Sequence, residues 1–195
     1  MKLVLASKNK KKLIEMNAIL NQLGIEVCSE AEAGVDVDVE ETGTTFEENS
    51  LLKAKAVMEA SGMPAIADDS GLCVTCLNDA PGVYSARYGG EGLDDTARYQ
   101  LLLENMRGQM PRTAKFVSVI TCCFPNGDVI CARGECPGTI AFAPMGEGGF
   151  GYDPVFFVPA LKKTFSQLSA EEKNAISHRG KALEIFRGKL EEYMK

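Results

Sequence analysis

Short apolar runs alternate with amphipathic helical patterns along the first third of the chain, and this alternation constrains the fold more than any other feature. The short, mainly apolar segments are residues 3–6, 25–28 and 65–68, of which the second contains Glu26 and the third ends at Asp68. Between the first two, apolar residues recur at helical spacing, at Leu13, Met16, Ile19, Leu20 and Leu23. Strands that alternate with helices are typical of α/β folds, in which helices cover a sheet. The sequence therefore predicts an α/β fold.

A second signal indicates that the sheet is mixed. Residues 113–124 and 129–135 have the pattern of strands, and the pair Asn126-Gly127 lies between them. Asn-Gly favours the tight turns that join antiparallel strands, so a hairpin is expected here. An amphipathic helix is expected at the C-terminus, with its apolar residues at Ala182, Ile185, Phe186, Leu190 and Tyr193.

The length and composition favour one compact unit. The chain has 195 residues, against about 150 for a typical domain, and neither a repeat nor a linker interrupts it. Its 45% hydrophobic and 25% charged residues exclude a disordered or low-complexity chain. We expect a single domain over residues 1–195, with a mixed sheet, flanking helices and two lobes around a cleft.

The net charge limits the classes of partner that the chain can bind, and the cysteine content indicates its cellular compartment. Lys and Arg number 21 and Asp and Glu number 27, which gives a net charge of −6. Such a chain gains little from attraction to nucleic acid or to an anionic membrane, so neither is expected as a partner. Seven cysteines cannot all pair within the chain, which favours a reducing, cytoplasmic setting. We recognise no secretory signal and no apolar run of about 18 residues.

A basic segment, residues 7–12, lies where the first strand is expected to lead into the first helix. It reads SKNKKK. The N-terminus of a helix attracts anions, and nearby lysines add positive charge, so this segment is a candidate phosphate site. The alternative is that the lysines only solvate the start of a helix, and the segment alone does not decide between the two.

Four carboxylates are candidates for metal binding: Glu41, Glu48, Asp68 and Asp69. The two aspartates follow an apolar strand and precede Ser70-Gly71, which predicts a turn and places them at the end of a strand. Ligands in α/β proteins bind at strand ends, and carboxylate oxygens suit Mg²⁺. The alternative is that these residues are helix caps and turn residues; Thr45 and Glu48 have the spacing of a capping box.

The single histidine does not indicate a nucleophilic triad, because no Ser-His-Asp or Cys-His order surrounds it. Lys173, His178 and Arg179 instead offer hydrogen-bond donors, which suit a keto oxygen or a phosphate. Cys73 and Cys76 have the spacing of a zinc site. We favour cysteines that pack as small buried hydrophobes, because Cys76 lies in an alternating strand pattern and Cys122-Cys123 lies among Val and Ile.

Six segments, in order along the chain, resemble one family. They are Ser7-x-Asn9-x-x-Lys12, ETGTTFEENSLLKA at 41–54, ADDSGL at 67–72, PGVYSARYGG at 81–90, GEGGFGYDPVFF at 146–157 and EEKNAISHRGKAL at 171–183. The chain is similar over essentially its whole length to the inosine triphosphate pyrophosphatases, the dITP/XTP pyrophosphatases of the Ham1 type. The resemblance implies their elongated α/β fold, a homodimer, and Mg²⁺-dependent hydrolysis of ITP, dITP and XTP to monophosphate and pyrophosphate, with Mn²⁺ as an alternative metal.

The same resemblance implies roles for individual residues. Glu41 and Asp69 would hold the magnesium ion, and Asp69 would also accept a proton from the attacking water. Substrate-binding residues would be Ser7, Lys8, Asn9, Lys10, Lys11 and Lys12 for the triphosphate, Ser70, and Phe150, Gly151, Tyr152, Asp153, Lys173, His178 and Arg179 around the base. Ser7 stands where many relatives have threonine, which keeps the hydroxyl. The cysteines carry no inherited role.

Three other functions fit parts of the pattern. The same lysines and glycines would serve a sensor that binds a purine triphosphate without cleaving it. A related pyrophosphatase for pyrimidine or modified nucleotides would use similar phosphate chemistry. An interaction domain is the weakest alternative, because it leaves the GGFGYDP and ADDSG segments without a purpose.

Overall fold

The computed structural model describes residues 1–195, apart from the side chain of Leu23. Across these residues seven strands form one sheet in the order β2-β1-β3-β4-β5-β6-β7. The strands are β1 (Lys2–Leu5), β2 (Glu26–Ser29), β3 (Ala65–Val74), β4 (Thr113–Cys123), β5 (Val129–Ile140), β6 (Phe156–Val158) and β7 (Lys163–Thr164). The helices are α1 (Lys10–Leu20), α2 (Phe46–Ser61), α3 (Asp95–Asn105), α4 (Ala170–Ile176) and α5 (His178–Tyr193). None of the helices described is both long enough and apolar enough to span a membrane.

The sheet is mixed, as the sequence predicts. β1 pairs in parallel with β2 on one side and with β3 on the other, whereas β6 pairs antiparallel with both β5 and β7. β4 and β5 are neighbours in the sheet and are joined by a short turn that contains Asn126 and Gly127. In this turn the Gly127 amide donates to the Phe124 carbonyl. The predicted hairpin is therefore confirmed.

The chain divides into two compact units. The first comprises Met1–Asp69, Ser118–Gly134 and His178–Lys195, and the second comprises Ser70–Val117 and Glu135–Ser177. In the first unit, apolar residues of β1, α1 and α5 share one core, which includes Leu5, Met16 and Phe186. The second unit has its own core, in which Phe116, Phe156 and Phe165 contact one another. The single domain and the cleft stay predictions.

One prediction about the sheet is wrong. Ser70-Gly71 does not form a turn, because β3 continues through both residues for its full ten-residue length. Nine of these ten residues are buried, and β1 and β4 lie on either side of the strand, so tertiary packing outweighs the local turn preference. Asp68 and Asp69 therefore lie within the strand. However, β1 pairs with β3 at Ala65 and Ile66, and Ile66 lies opposite the last residue of β1, which leaves both aspartates beyond the carboxyl end of β1.

The predicted capping box at the start of α2 is confirmed. The Thr45 hydroxyl accepts from the Glu48 amide at 3.1 Å, and the Glu48 carboxylate accepts from the Thr45 amide at 3.3 Å. The same carboxylate accepts from the Thr44 amide at 2.7 Å. These hydrogen bonds lower the pKa of Glu48. Glu48 is therefore used as a cap, and its alternative role as a metal ligand is disfavoured.

We expect the cap to contribute measurably to stability. Thr45→Ala removes the hydroxyl that satisfies the Glu48 amide, and loss of such a cap costs about 1 kcal/mol. Urea unfolding of the variant should show this loss in the free energy of unfolding. The neighbouring Thr42→Ala, at an exposed loop position, is the matched control and should unfold like the unmodified protein. Equal stability of both variants would contradict the prediction.

Cys122 and Cys123 are buried, as predicted, and each packs in a hydrophobic cluster of the first unit. Burial raises the pKa of the Cys122 thiol to about 12, and it also raises the pKa of Cys123. Neutral thiols at these positions act as small apolar side chains rather than as nucleophiles.

Candidate functional site

The basic segment at the start of α1 is held mainly by its own hydrogen bonds. The Asn9 side chain caps the helix and accepts from the amides of Lys11, at 3.0 Å, and Lys12, at 3.3 Å. The Asn9 amide donates to the Ser7 hydroxyl at 3.2 Å. Two amides that were expected to be available to a phosphate therefore already have a partner. The lysine side chains remain the stronger candidates for phosphate contacts.

The four lysines of this segment differ in their surroundings. Lys8, Lys10 and Lys11 are exposed, and Lys8 pairs with Asp36 at 2.9 Å. Lys12 is different, because its side chain is only 18% exposed and its Nζ lies 2.7 Å from Asp68 Oδ2. Of the predicted phosphate ligands, Lys12 is the one that the structure places next to the aspartates of β3.

Asp68 lies between two cations of the first unit. Its Oδ2 accepts from Lys12 and, at 3.0 Å, from Arg179 Nη2 at the start of α5. Its Oδ1 accepts from the Ser118 hydroxyl of β4 at 2.6 Å. Burial raises the pKa of Asp68, but the charges of Arg179 and Lys12 outweigh it and hold the pKa well below its usual range. Asp68 is therefore ionised and acts as an anchor for both cations.

Arg179 is engaged on both sides of its guanidinium group. Nη2 donates to Asp68 and Nη1 donates to the Glu15 carboxylate of α1. Burial lowers the pKa of Arg179, and the two carboxylates outweigh it and raise the pKa. The residue ties α5 to β3 and α1. Its predicted contact with a nucleobase stays a prediction.

Lys53 of α2 joins the two predicted metal ligands. Its Nζ donates to Glu41 Oε1 at 2.7 Å, to Asp69 Oδ1 at 2.9 Å and to the Asp68 carbonyl at 3.1 Å. Burial lowers the pKa of Lys53, but the Asp69 and Glu41 carboxylates outweigh it and raise the pKa. The structure therefore brings Glu41 and Asp69 to the same ammonium group, although they are far apart in the sequence.

Asp69 retains an oxygen that is available to a ligand. Its Oδ2 is buried and has no hydrogen-bond partner among the described residues. Burial raises the pKa of Asp69, and the Glu41 carboxylate adds to this, although Lys53 opposes both. A buried carboxylate oxygen without a partner costs free energy, and such atoms in native proteins commonly await a ligand or water.

The donor set fits a magnesium ion that is held partly by substrate. Mg²⁺ is commonly bound by one or two carboxylates, with water and phosphate oxygens completing its shell. Glu41 and Asp69 provide two carboxylates, and Asp69 Oδ2 is without another partner in the part of the chain described. Across the described residues, no cluster of three or more His, Cys, Asp or Glu side chains could hold a metal ion without a substrate.

A buried amide side chain holds the loop that carries Glu41. Asn49 of α2 accepts from the Gly43 amide at 2.8 Å and donates to the Gly43 carbonyl at 3.4 Å. A Cβ on Gly43 would lie 2.6 Å from Asn49 Oδ1, so only glycine allows this approach. Gly43 and Asn49 thereby keep the loop folded against the first turn of α2.

The second unit holds the other predicted substrate residues. Lys173 of α4 pairs with Asp153 Oδ2 at 2.8 Å, and its Nζ lies 4.7 Å from the centre of the Phe150 ring. The same Asp153 oxygen accepts from the Phe150 amide at 3.0 Å. Asp153 therefore positions both the loop and the lysine. The ammonium group over an aromatic face is a cation–π contact.

Two further hydrogen bonds support the glycine-rich loop. The Gly151 amide donates to Asp95 Oδ2 of α3 at 2.8 Å, and the buried Tyr152 hydroxyl donates to the Ser85 carbonyl at 2.7 Å. Burial raises the pKa of Tyr152. Tyr152 is thus a structural residue of the loop, whereas Phe150 and Gly151 are less buried and remain candidates for contact with a base.

The predicted site residues fall into two groups. Ser7, Lys8, Asn9, Lys10, Lys11, Lys12, Glu41, Asp69, His178 and Arg179 belong to the first unit, and Ser70, Phe150, Gly151, Tyr152, Asp153 and Lys173 belong to the second. His178 is buried at the start of α5. The roles assigned to these residues stay predictions. The resemblance places Lys173, His178 and Arg179 around one base; Lys173 belongs to the second unit and the other two to the first, and their joint role stays a prediction.

Sequence reasoning assigned no role to Lys53, Glu15 or Ser118. Lys53 lies within the segment that resembles the family, eight residues after the cap of α2, and no local pattern separates it from an ordinary surface lysine. The available signal was charge. Lys53 follows Glu47 to Ser50 by about one helical turn, and from there its side chain can reach back toward the acidic loop that precedes α2. Ser118 carries a hydroxyl in the mainly apolar strand β4. A buried hydroxyl needs a hydrogen-bond partner, so its position was a signal that a polar group lies nearby.

Known proteins share much of this sequence and its fold. The model of the Ham1 family matches residues 3–189. A dITP/XTP pyrophosphatase of Exiguobacterium sp. is 45% identical over 195 residues, which are 100% of both chains. One from Desulforamulus reducens is 51% identical over 94% of this chain and 92% of its own. The solved structure of a HAM1 protein from Coxiella burnetii superposes with a TM-score of 0.90 at 44% identity, over 98% of this chain and 99% of its own.

Proposed function

Because the chain belongs to the Ham1 family, we propose that it hydrolyses the non-canonical purine nucleotides dITP, XTP and ITP to the monophosphate and pyrophosphate. One observation carries this proposal: Asp69 has a buried carboxylate oxygen without a partner among the described residues, next to Glu41 and Lys53. Its neighbour Asp68 holds Lys12. The proposed proton acceptor and the carboxylate that holds the Lys12 cation are thus adjacent residues of β3, which suits hydrolysis of a phosphoanhydride.

The proposed mechanism includes a divalent metal ion. Glu41 and Asp69 would hold one Mg²⁺, or Mn²⁺ in its place. When bound, the ion would neutralise phosphate oxygens as a Lewis acid. Lys53 has a separate task in this scheme, because its ammonium group holds Glu41 and Asp69 together and reduces their mutual repulsion.

The protein residues supply the remaining chemistry. Asp69 orients a water molecule and accepts its proton, for which a carboxylate with a raised pKa is the better base. Lys12 faces the leaving pyrophosphate, where negative charge accumulates in the transition state. The exposed side chains of Lys8, Lys10 and Lys11, with Ser7 and Asn9, bind the rest of the triphosphate.

Base recognition is assigned to donors and to an aromatic face. Phe150 stacks on the purine, Asp153 holds Lys173 in place, and Ser70, Gly151 and Tyr152 shape the surroundings. Lys173, His178 and Arg179 provide donors for the 6-keto oxygen of inosine and xanthine. Adenine has an amino group there, so a donor would face a donor, which costs about 1–3 kcal/mol.

A nucleotide panel tests the proposed function. We expect kcat/KM for dITP, ITP and XTP to exceed that for ATP by about 10- to 100-fold, because of the unpaired donor. EDTA should abolish turnover, and added Mg²⁺ should restore it. Pyrophosphate release, measured at several substrate concentrations, gives both kinetic constants.

Other outcomes of the panel would redirect the assignment. Equal kcat/KM for ATP and ITP would contradict the role of the donors. Tight binding of ITP without release of pyrophosphate would indicate a nucleotide sensor. A preference for pyrimidine or modified nucleotides would indicate a related pyrophosphatase with another substrate.

The assembly and the location are also proposals. We propose a homodimer in the cytoplasm, in keeping with the family resemblance. The seven cysteines support a reducing compartment, because an odd number cannot all pair within the chain. Light scattering of the purified protein will measure its mass in solution, and a monomer at micromolar concentration would contradict the dimer.

A further inference from the structure

Ser118 makes a direct, short hydrogen bond to a charged group of the candidate site. Its hydroxyl donates to Asp68 Oδ1 at 2.6 Å, and the side chain is fully buried in β4. Hydrogen bonds from a hydroxyl to an ionised carboxylate are shorter and stronger than those between neutral groups. The length of this bond agrees with an ionised Asp68.

The bond fixes the plane of the Asp68 carboxylate, so that one oxygen meets Ser118 and the other faces the cations. The terminal torsion of an aspartate side chain has a broad, roughly two-fold preference, so the side chain alone does not fix its carboxylate plane. With Oδ1 bonded to Ser118, Oδ2 faces both Lys12 and Arg179. The two cations therefore meet at one oxygen atom.

We propose that Ser118 is a positioning residue, which orients Asp68 so that Lys12 is held where a polyphosphate binds. This inference rests on the proposed function for the role of Lys12 and on the geometry for the link from Ser118 to Lys12. Ser118 itself does not contact substrate. It acts through Asp68, whose oxygens lie between the hydroxyl and the ammonium group.

The consequence for catalysis is specific. Without the hydroxyl, Asp68 loses this donor, and the carboxylate can rotate and share its two oxygens between Lys12 and Arg179. Lys12 then shifts from its present position, 2.7 Å from Oδ2. Since Lys12 is proposed to meet charge that develops on the leaving group, the loss falls on kcat more than on KM.

The test compares Ser118→Ala with a matched variant on the same strand. Thr121 is also buried in β4, and its hydroxyl forms a 2.6 Å hydrogen bond with Ser50. Thr121→Val removes that bond, while the Ser50 hydroxyl keeps the Glu47 carbonyl as an acceptor at 3.2 Å. Each substitution removes one buried hydroxyl with little change in volume, but only Ser118 contacts Asp68.

Two measurements separate positioning from a general loss of stability. The first is the rate at which an amine-reactive acetylating reagent modifies Lys12, measured by mass spectrometry relative to the exposed Lys55 of α2. The second is the steady-state kinetics with ITP and Mg²⁺. We expect Ser118→Ala to change the relative labelling rate of Lys12 by at least about threefold and to lower kcat about tenfold, with KM within about twofold.

Thr121→Val should leave both measurements unchanged. The inference is overturned if Lys12 in Ser118→Ala is acetylated at the same rate as in the unmodified protein. It is also overturned if Thr121→Val changes the acetylation rate of Lys12 and kcat as much as Ser118→Ala does. The labelling measurement needs no turnover, so it decides the link from Ser118 to Lys12 even if the unmodified protein fails to hydrolyse ITP. That last result would refute the proposed function alone.

Discussion

Asp69→Asn is expected to lose most of its turnover of ITP while keeping its fold. The substitution preserves the shape of the side chain but removes its charge and its capacity to accept a proton. General-base assistance is worth about 10²- to 10⁴-fold, so we expect kcat to fall by at least about 100-fold. The measurement is pyrophosphate release at saturating ITP and Mg²⁺.

The fold should survive because of how Asp69 is bonded. Its burial raises its pKa, which means that the folded protein does not favour the charged form of this side chain. Lys53 also keeps Glu41 as a partner at 2.7 Å when the charge at position 69 is removed. Thermal unfolding of the variant should therefore occur within a few degrees of the unmodified protein.

A surface carboxylate supplies the control. Asp128 lies in the turn between β4 and β5, where it accepts from Asn126 and Tyr193. Asp128→Asn makes the same chemical change away from Lys12 and Lys53, and its kcat should be unchanged. If Asp69→Asn retained near-normal turnover, Asp69 would not be the proton acceptor, and the proposed mechanism would fail at its central step.

The elements that the sequence predicts well are those with strong local signals. Thr45 and Glu48 form the predicted capping box, and the Asn126-Gly127 turn joins two long strands. In both cases the residues that determine the structure lie within a few positions of one another. The start of α2 and the turn between β4 and β5 could therefore be placed from local chemistry alone, whereas β5 was predicted to end at residue 135 and continues to Ile140.

The course of β3 could not be predicted in this way. Ser70-Gly71 has the composition of a turn, yet the backbone there is extended and continues β3, which has β4 as a neighbour in the sheet. The hydrogen bonds and burial that keep it extended come from residues far away in sequence. Local preferences of about 1 kcal/mol or less are commonly outweighed by such packing.

In the candidate site, too, local signals are readable from the sequence and long-range contacts are not. Glu41 and Asp69 were predicted to act together because of a family resemblance, but nothing local indicates that Lys53 lies between them. The alternative that the basic segment only solvates a helix stays open for the exposed Lys10 and Lys11, and it does not hold for Lys12, which pairs with Asp68. Which lysine points inward depends on where Asp68 lies, and that depends on the sheet.

Gly134→Ala is expected to cause the largest loss of stability. Gly134 lies in β5, where the first turn of α5 crosses the strand so closely that a Cβ would overlap the His178 carbonyl oxygen and the Ala182 amide nitrogen. The atoms in the way belong to the backbone, so no side chain can rotate to make room. Overpacking of this kind costs about 1–3 kcal/mol and occasionally more.

Activity should fall together with stability. To accept the methyl group, the start of α5 must move away from β5, and Arg179 lies on that turn. Its guanidinium would then leave its position 3.0 Å from Asp68 Oδ2, which would also disturb Lys12. We expect a lower kcat/KM for ITP even at temperatures where the variant remains folded.

Gly188→Ala is the matched control. Gly188 lies in α5, the helix that Gly134 contacts, but a Cβ at Gly188 would meet nothing within 4 Å. Alanine in a helix is favoured over glycine by about 0.5–1 kcal/mol, so this variant should be more stable than the unmodified protein. Urea unfolding of both variants will show the difference as midpoints that move in opposite directions. If Gly134→Ala instead unfolded like the unmodified protein, the close approach of α5 to β5 would be wrong, and with it the placement of Arg179 beside Asp68.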